Sequence, residues 1–147
     1  MGCDIHSYAE RRVGDKYELI TDPAFDAGYG DEMTSEPFCW RSYGMFGFLA
    51  DVRNYSEVPP IAEQRGWPSD ASDGADAEYK DWSGDAHSAS WLTVEELRAF
   101  DYDRPFMDRR SGRQMTTYRD FLGKAFFRDI EILNEIGADR VLFFFDN

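Results

Sequence analysis

The chain opens with Cys3-Asp4-Ile5-His6-Ser7-Tyr8-Ala9-Glu10, in which polar residues alternate with small or apolar ones. Side chains of a β-strand point alternately to its two faces, so this stretch predicts a strand with two different faces. The small, mostly apolar face suits a protein core and consists of Cys3, Ile5, Ser7 and Ala9. The opposite face lines up an acid, an imidazole, a phenol and a second acid: Asp4, His6, Tyr8 and Glu10.

A β-hairpin continues from this strand. Residues 3–12 and 16–20 are predicted as its two arms, with Gly14-Asp15 as a two-residue turn of a primed type. At the other end of the chain stands the apolar run Arg140-Val141-Leu142-Phe143-Phe144-Phe145-Asp146. This run is too apolar for an edge strand, so we expect it inside the sheet.

Three helices are predicted from capping residues and helical spacing. The first begins after Ser42, and the second begins at the capping box formed by Thr93 and Glu96. The third and longest is predicted from Tyr118 to about Ile136. Glycine, proline and acidic residues are frequent in residues 21–40 and 54–90, which predicts long ordered loops there, with one short helix in 73–86. Residues 104–114 are basic and are also predicted as a loop.

These elements predict an α+β fold in one domain, residues 1–147. Its sheet is mostly antiparallel and contains the N-terminal hairpin and the C-terminal strand, with the helices packed on one face. The length of 147 residues is enough for a single hydrophobic core.

Composition limits the possible partners. Asp and Glu outnumber Lys and Arg by 29 to 16, giving a net charge of −13. Broad contact with a long nucleic acid is therefore not expected. The two cysteines give no disulfide framework, and no apolar run is long enough to span a bilayer, which predicts a cytoplasmic protein. A homo-oligomer remains open.

A second Asp-x-His-Ser occurs far along the chain, as Asp85-Ala86-His87-Ser88. On a strand, each motif would present a carboxylate and an imidazole on one face. If the two motifs meet, their four side chains form a candidate catalytic set for acid–base cleavage of a phosphodiester, or four ligands for zinc or manganese: Asp4, His6, Asp85 and His87. The structural alternative is a solvated hairpin face, with His87 stabilising a turn.

Arginines and loop aromatics suggest a ligand with phosphate and a base. Arginine binds phosphate through two parallel hydrogen bonds, and aromatic rings stack on bases. Most arginines can be explained by pairing with the abundant acids, and most aromatics by packing, so we single out Arg53 and Arg65 as the phosphate ligands. The complete predicted ligand-binding set is Tyr8, Glu10, Trp40, Tyr43, Arg53, Arg65, Trp67, Asp70 and Ser88.

Four blocks of the sequence together resemble a family of small tailed-phage proteins: residues 1–6 (MGCDIH), 41–54 (RSYGMFGFLADVRN), 65–72 (RGWPSDAS) and 85–93 (DAHSASWLT). The resemblance covers about the first two-thirds of the chain and implies no particular activity. The blocks coincide with the polar residues singled out above, and not with the longest helix or the last strand. This coincidence favours a functional site over a mere scaffold.

Three functions are consistent with these observations. The leading hypothesis is a phage-encoded protein that sequesters a small nucleotide, such as a cyclic-nucleotide or ADP-ribose-type immune signal of the bacterial host. The alternative is a phosphodiesterase that cleaves such a nucleotide with His6 and His87, with or without a divalent metal. The third is an acidic DNA mimic that inhibits a host enzyme.

Overall fold

The computed structural model describes residues 2–110 and 112–147. In chain order the elements are β1 (Asp4–Val13), β2 (Lys16–Leu19), β3 (Phe25–Asp26), β4 (Met33–Thr34), α1 (Tyr43–Ala50), α2 (Asp73–Trp82), a 3₁₀ turn (Ser83–Asp85), β5 (His87–Thr93), α3 (Val94–Ala99), β6 (Pro105–Asp108), β7 (Gln114–Thr117), α4 (Tyr118–Leu122), α5 (Lys124–Glu135) and β8 (Arg140–Asp146). The predicted α+β class is confirmed.

Four antiparallel strands form the central sheet, in the order β2-β1-β8-β5. The apolar strand β8 lies inside the sheet, as its sequence predicts. The antiparallel pairing of β1 and β2 confirms the predicted hairpin. Gly14, at the first turn position, has a positive φ of 66°. A primed hairpin turn requires that conformation, which glycine adopts without steric cost.

Strand β5 is a difference from the sequence prediction, which placed residues 87–90 in a loop. The segment has little intrinsic β-preference, but its pairing with the apolar strand β8 places it in the sheet. A bulge between His87 and Ser90 interrupts the register, and Ser88 has a positive φ of 56°. The strand therefore depends on a partner that lies more than fifty residues along the chain.

Both faces of the sheet are covered. Helices α1, α3, α4 and α5 contribute to the main core, which includes Ile5, Ala9, Phe143 and Phe145. A second cluster covers the opposite face, where α2 packs on Tyr8, Leu142 and Phe144. The expectation of helices on one face thus holds for four helices, and α2 is the exception. The polar row on β1 is consequently largely covered and not a solvated surface.

Two further segments differ from their predictions. The long helix predicted from Tyr118 is divided into α4 and α5 at Gly123, which has a positive φ of 83°. Residues 104–114 contribute to a second hairpin, β6 with β7, and not to a simple loop. The predicted caps at Ser42 and Thr93 are confirmed by hydrogen bonds to their helix N-termini.

Candidate functional site

His6 forms a close pair with Asp146, the last residue of β8. The His6 Nε2–H donates to Asp146 Oδ2 over 2.5 Å, and the two side chains are about one-fifth exposed. The imidazole is held between Trp82, whose ring centre is 4.3 Å away, and Phe144, at 5.0 Å. We call this pair the histidine–aspartate dyad. Its carboxylate comes from the far end of the chain, and not from Asp4 or Glu10, the two acids on the same face of β1.

A cleft of roughly 600 Å³ lies next to the dyad. Its lining is aromatic and charged and includes Tyr29, Glu36, Trp40 and an ion pair between Asp4 and Arg41 at 2.9 Å. We call it the aromatic cleft. Asp4 is two residues before His6 on the same face of β1, so the dyad lies beside the cleft wall. The volume is within the range of small-molecule sites.

Glu36 connects the cleft to the dyad. The Ser7 hydroxyl donates to the carbonyl of Pro37, which fixes the loop that carries Glu36 against β1. Burial raises the pKa of the Glu36 carboxyl, the charge of His6 lowers it, and the charge of Glu78 raises it. These charges show that Glu36 lies within electrostatic range of the imidazole.

His87 lies on the other side of the sheet from His6. His6 is paired with Phe144 and His87 with Phe145, and these consecutive residues of β8 point to opposite faces. The His87 Nδ1 is 3.0 Å from the Ser88 hydroxyl, and its Nε2 is buried without a hydrogen-bond partner among the described residues. The prediction that the two imidazoles share one site is therefore wrong within a single chain.

The predicted metal site is not assembled either. Asp85 is exposed in the 3₁₀ turn and is not on a strand. Across residues 2–110 and 112–147, no group of three or more His, Cys, Asp and Glu side chains is arranged to hold a metal ion. The metal-site prediction failed because it required each Asp-x-His motif to present both side chains from one strand, and only Asp4 and His6 lie on one strand.

Two arginines and two tyrosines form a patch at the same end of the molecule. The guanidinium carbons of Arg53 and Arg110 are 5.5 and 6.0 Å from the centre of the Tyr43 ring, and Arg110 is also 5.7 Å from Tyr55. Among the described residues, neither guanidinium has a carboxylate within salt-bridge distance. We call these four residues the arginine–tyrosine patch. Tyr55 is 53% exposed.

The patch, the cleft and the dyad meet around the start of β1. The Cys3 N–H donates to the Tyr43 hydroxyl over 3.2 Å. Burial raises the pKa of the Cys3 thiol, Arg53 lowers it, Asp146 and Asp4 raise it, and Arg41 lowers it. Groups from all three features therefore lie within electrostatic range of one sulfur atom, and we refer to the whole as the N-terminal corner.

Several predicted ligand residues have structural partners elsewhere. Arg65 donates two hydrogen bonds to Glu96, at 2.5 and 2.8 Å, and lies over the Trp91 ring. Trp67 stacks on Tyr79 at 4.3 Å. The remaining members of that predicted set outside the corner are occupied or buried in the structure: Tyr8, Glu10, Asp70 and Ser88. Arg65 is thus not available to bind phosphate.

Glu36, Arg110 and Asp146 were missed by sequence reasoning. Asp146 follows an apolar strand, and a polar residue at a strand end could have marked it as a candidate. Arg110 lies in a basic segment that was noted only as a loop, and Glu36 carries no signal that distinguishes it from the remaining acids. Tyr55 is one of the loop aromatics that suggest stacking on a base, but it was left out of the predicted set.

The chain matches no protein-family model, no curated protein and no solved structure in the comparisons. None of the helices within residues 2–110 and 112–147 is long and apolar enough to cross a membrane. Function must therefore be argued from the geometry of the corner itself.

Proposed function

We propose that the N-terminal corner binds a small nucleotide. Arg53 and Arg110 hold the phosphate, and the exposed ring of Tyr55 stacks on the base. The ligand class we propose is a cyclic-nucleotide or ADP-ribose-type immune signal, by analogy with the setting in which tailed-phage proteins act, since the resemblance itself implies no particular activity. In that setting the protein would act in the cytoplasm of the host and remove the signal from its receptor.

One observation supports this proposal above the others. In a protein of net charge −13, two guanidinium groups converge on one tyrosine ring without a carboxylate within salt-bridge distance among the described residues. Some arginines elsewhere, such as Arg119 and Arg140, have such partners, whereas Arg12 and Arg104 each lie over one aromatic ring without one in the described part of the chain. What distinguishes the patch from these two arginines is that two guanidinium groups share one ring. Guanidinium groups on aromatic rings suit a ligand that combines phosphate with a flat base.

Calorimetric titration tests the proposal directly. The panel is a set of cyclic mononucleotides, cyclic dinucleotides and ADP-ribose, with inorganic pyrophosphate as a ligand that lacks a base. Arg53→Gln and Arg110→Gln should each weaken binding roughly tenfold or more, because a hydrogen bond to a charged group contributes about 1.5–3 kcal/mol. Tyr55→Leu should weaken the binding of nucleotides by about 1–3 kcal/mol and leave the affinity for pyrophosphate unchanged.

Arg12→Gln is the matched control, because Arg12 also lies over a tyrosine ring, Tyr17, but on the hairpin. It should bind like the wild type. Failure of every panel member to bind would overturn the proposal and favour the acidic mimic of DNA. Binding that is indifferent to both arginine substitutions would also overturn it.

A further inference from the structure

The dyad leaves one imidazole nitrogen free to accept a proton. An ionised carboxylate only accepts hydrogen bonds, so the short contact to Asp146 places the proton of neutral His6 on Nε2. Nδ1 then carries the lone pair. Among residues 2–110 and 112–147, it makes no hydrogen bond, and it is not among the buried atoms without a partner. It is therefore accessible to solvent.

The ring is also held in one orientation. Trp82 and Phe144 pack against it, and Asp146 fixes it from the Nε2 side. A carboxylate that orients an imidazole whose second nitrogen is free is the arrangement of a general base.

We propose that His6, oriented by Asp146, is the general base for hydrolysis of a P–O bond in the nucleotide bound at the N-terminal corner, with Glu36 as the general acid. This inference rests on the proposed binding function and extends it from sequestration to cleavage. It also replaces the predicted pair of histidines by one histidine and two carboxyl groups. The two arginines of the arginine–tyrosine patch hold the phosphate as proposed above, because Arg41, on the wall of the aromatic cleft, is already paired with Asp4.

The step balances as an ordinary hydrolysis. Water attacks phosphorus while His6 Nδ1 takes one of its protons, and the new P–O bond forms as the bond to the leaving oxygen breaks. Protonated Glu36 gives its proton to the leaving oxygen. Transfer of a proton from imidazolium to the Glu36 carboxylate through solvent restores both groups. The raised pKa of Glu36 keeps more of this carboxyl in the acid form than an exposed glutamate would have.

The test measures binding and turnover on the same samples. The nucleotide panel is incubated with the full-length protein in ¹⁸O-enriched water. The products are separated by chromatography, and their masses are measured by mass spectrometry. Wild type should release products with one ¹⁸O on phosphate. His6→Gln should lose about 10²–10⁴-fold in turnover and keep its affinity. His87→Gln is the matched control on the opposite face and should turn over at the wild-type rate.

Asp146→Asn distinguishes positioning from a structural role. Asparagine can still accept the Nε2–H, but the negative charge next to the imidazole is removed. Turnover (kcat) should then fall while KM stays close to the wild-type value, because the imidazole keeps its orientation but the imidazolium formed in the reaction loses the neighbouring negative charge. The other ionisable groups around His6 are Asp4, Glu36 and Glu78, and they are the same in both proteins.

Each result decides between the two proposals. Binding by wild type without any product overturns the hydrolysis and leaves the binding function intact. No binding overturns the binding function, and the hydrolysis with it. Equal turnover by wild type and His6→Gln overturns His6 as the base. If His6→Gln does not fold, a kcat unchanged in Asp146→Asn has the same consequence.

Discussion

Among the described residues, Arg140 is the most deeply buried cation, and it contacts two carboxylates and two rings. Its guanidinium is 2.6 Å from Glu10 and 3.0 Å from Asp70, and its carbon lies 3.5 Å above the centre of the Tyr17 ring. Glu10 also accepts a hydrogen bond from the Ser72 N–H over 2.7 Å. The buried pair therefore connects β1 and β8 with the loop that precedes α2.

Replacing Glu10 by alanine should destabilise the protein by about 3–5 kcal/mol, because Arg140 would lose its closest partner while it stays buried. Urea unfolding followed by circular dichroism measures this loss. The matched control is Asp103→Ala, which removes one partner of the exposed pair with Arg119. The control should change stability little, since exposed pairs contribute little. An equal effect of the two substitutions would contradict the importance of burial.

At the scale of elements, α5 holds the loop before α1 through Asp129. This carboxylate is fully buried and accepts the Phe38 N–H over 2.9 Å. Burial raises the pKa of Asp129 above the ordinary value of 3.8, although Phe38 and Arg128 act in the opposite direction. The folded state therefore binds this proton more tightly than the unfolded chain does.

A raised pKa in the folded state gives a stabilising contribution that is complete below the ordinary value and is lost as pH rises through the folded value. Asp129→Asn keeps an acceptor for Phe38 and does not ionise. We expect this variant to gain stability relative to wild type as pH rises from about 3.8, with the smallest difference at the acid end. Urea unfolding across this pH range measures the difference.

Asp103→Asn is the control for the sign of the pH dependence of stability. The hydrogen bond from Arg119 lowers the pKa of Asp103, so its contribution is present above the ordinary value and lost as pH falls. The difference between this variant and wild type should therefore have the opposite slope and be small, because Asp103 is exposed. A rise in wild-type stability relative to Asp129→Asn between pH 4 and pH 7 would contradict the role given to Asp129.

The elements that the sequence predicts correctly are those whose signals are local. The turn at Gly14, the cap at Ser42 and the capping box at Thr93 each depend on residues within four positions. Strand β5 was missed because its stability comes from β8, and the division between α4 and α5 was missed because a single glycine is tolerated in many helices.

In the candidate site too, residues with local signals were predicted, and contacts between distant parts of the chain were not. Residues of the corner that lie in the marked blocks, such as His6, Tyr43 and Arg53, were predicted from their chemistry. The pairing of His6 with Asp146 joins residues 140 positions apart, and no periodicity in the sequence indicates it. The face on which His87 lies depends on the register and bulge of β5, which only the assembled sheet determines.

At the scale of the whole molecule, negative charge is the dominant property. A net charge of −13 in 147 residues makes the folded state repel itself, and the two arginines of the corner patch, Arg53 and Arg110, oppose this field locally. Salt screens such repulsion between exposed charges over about 10 Å at 0.1 M. The overall field and the local arginines act on an anionic ligand in opposite directions.

Adding sodium chloride at neutral pH should therefore raise the unfolding temperature. A gain of about 1 kcal/mol would correspond to roughly 2–4 °C for a chain of this size. The same titration near the isoelectric point, at pH 4.4, is the control, because the net charge there is close to zero and little repulsion remains to be screened. Scanning calorimetry at both pH values measures the two slopes. A midpoint that falls with salt at neutral pH would mean that ion pairs such as Arg41 with Asp4 contribute more to stability than the repulsion takes away.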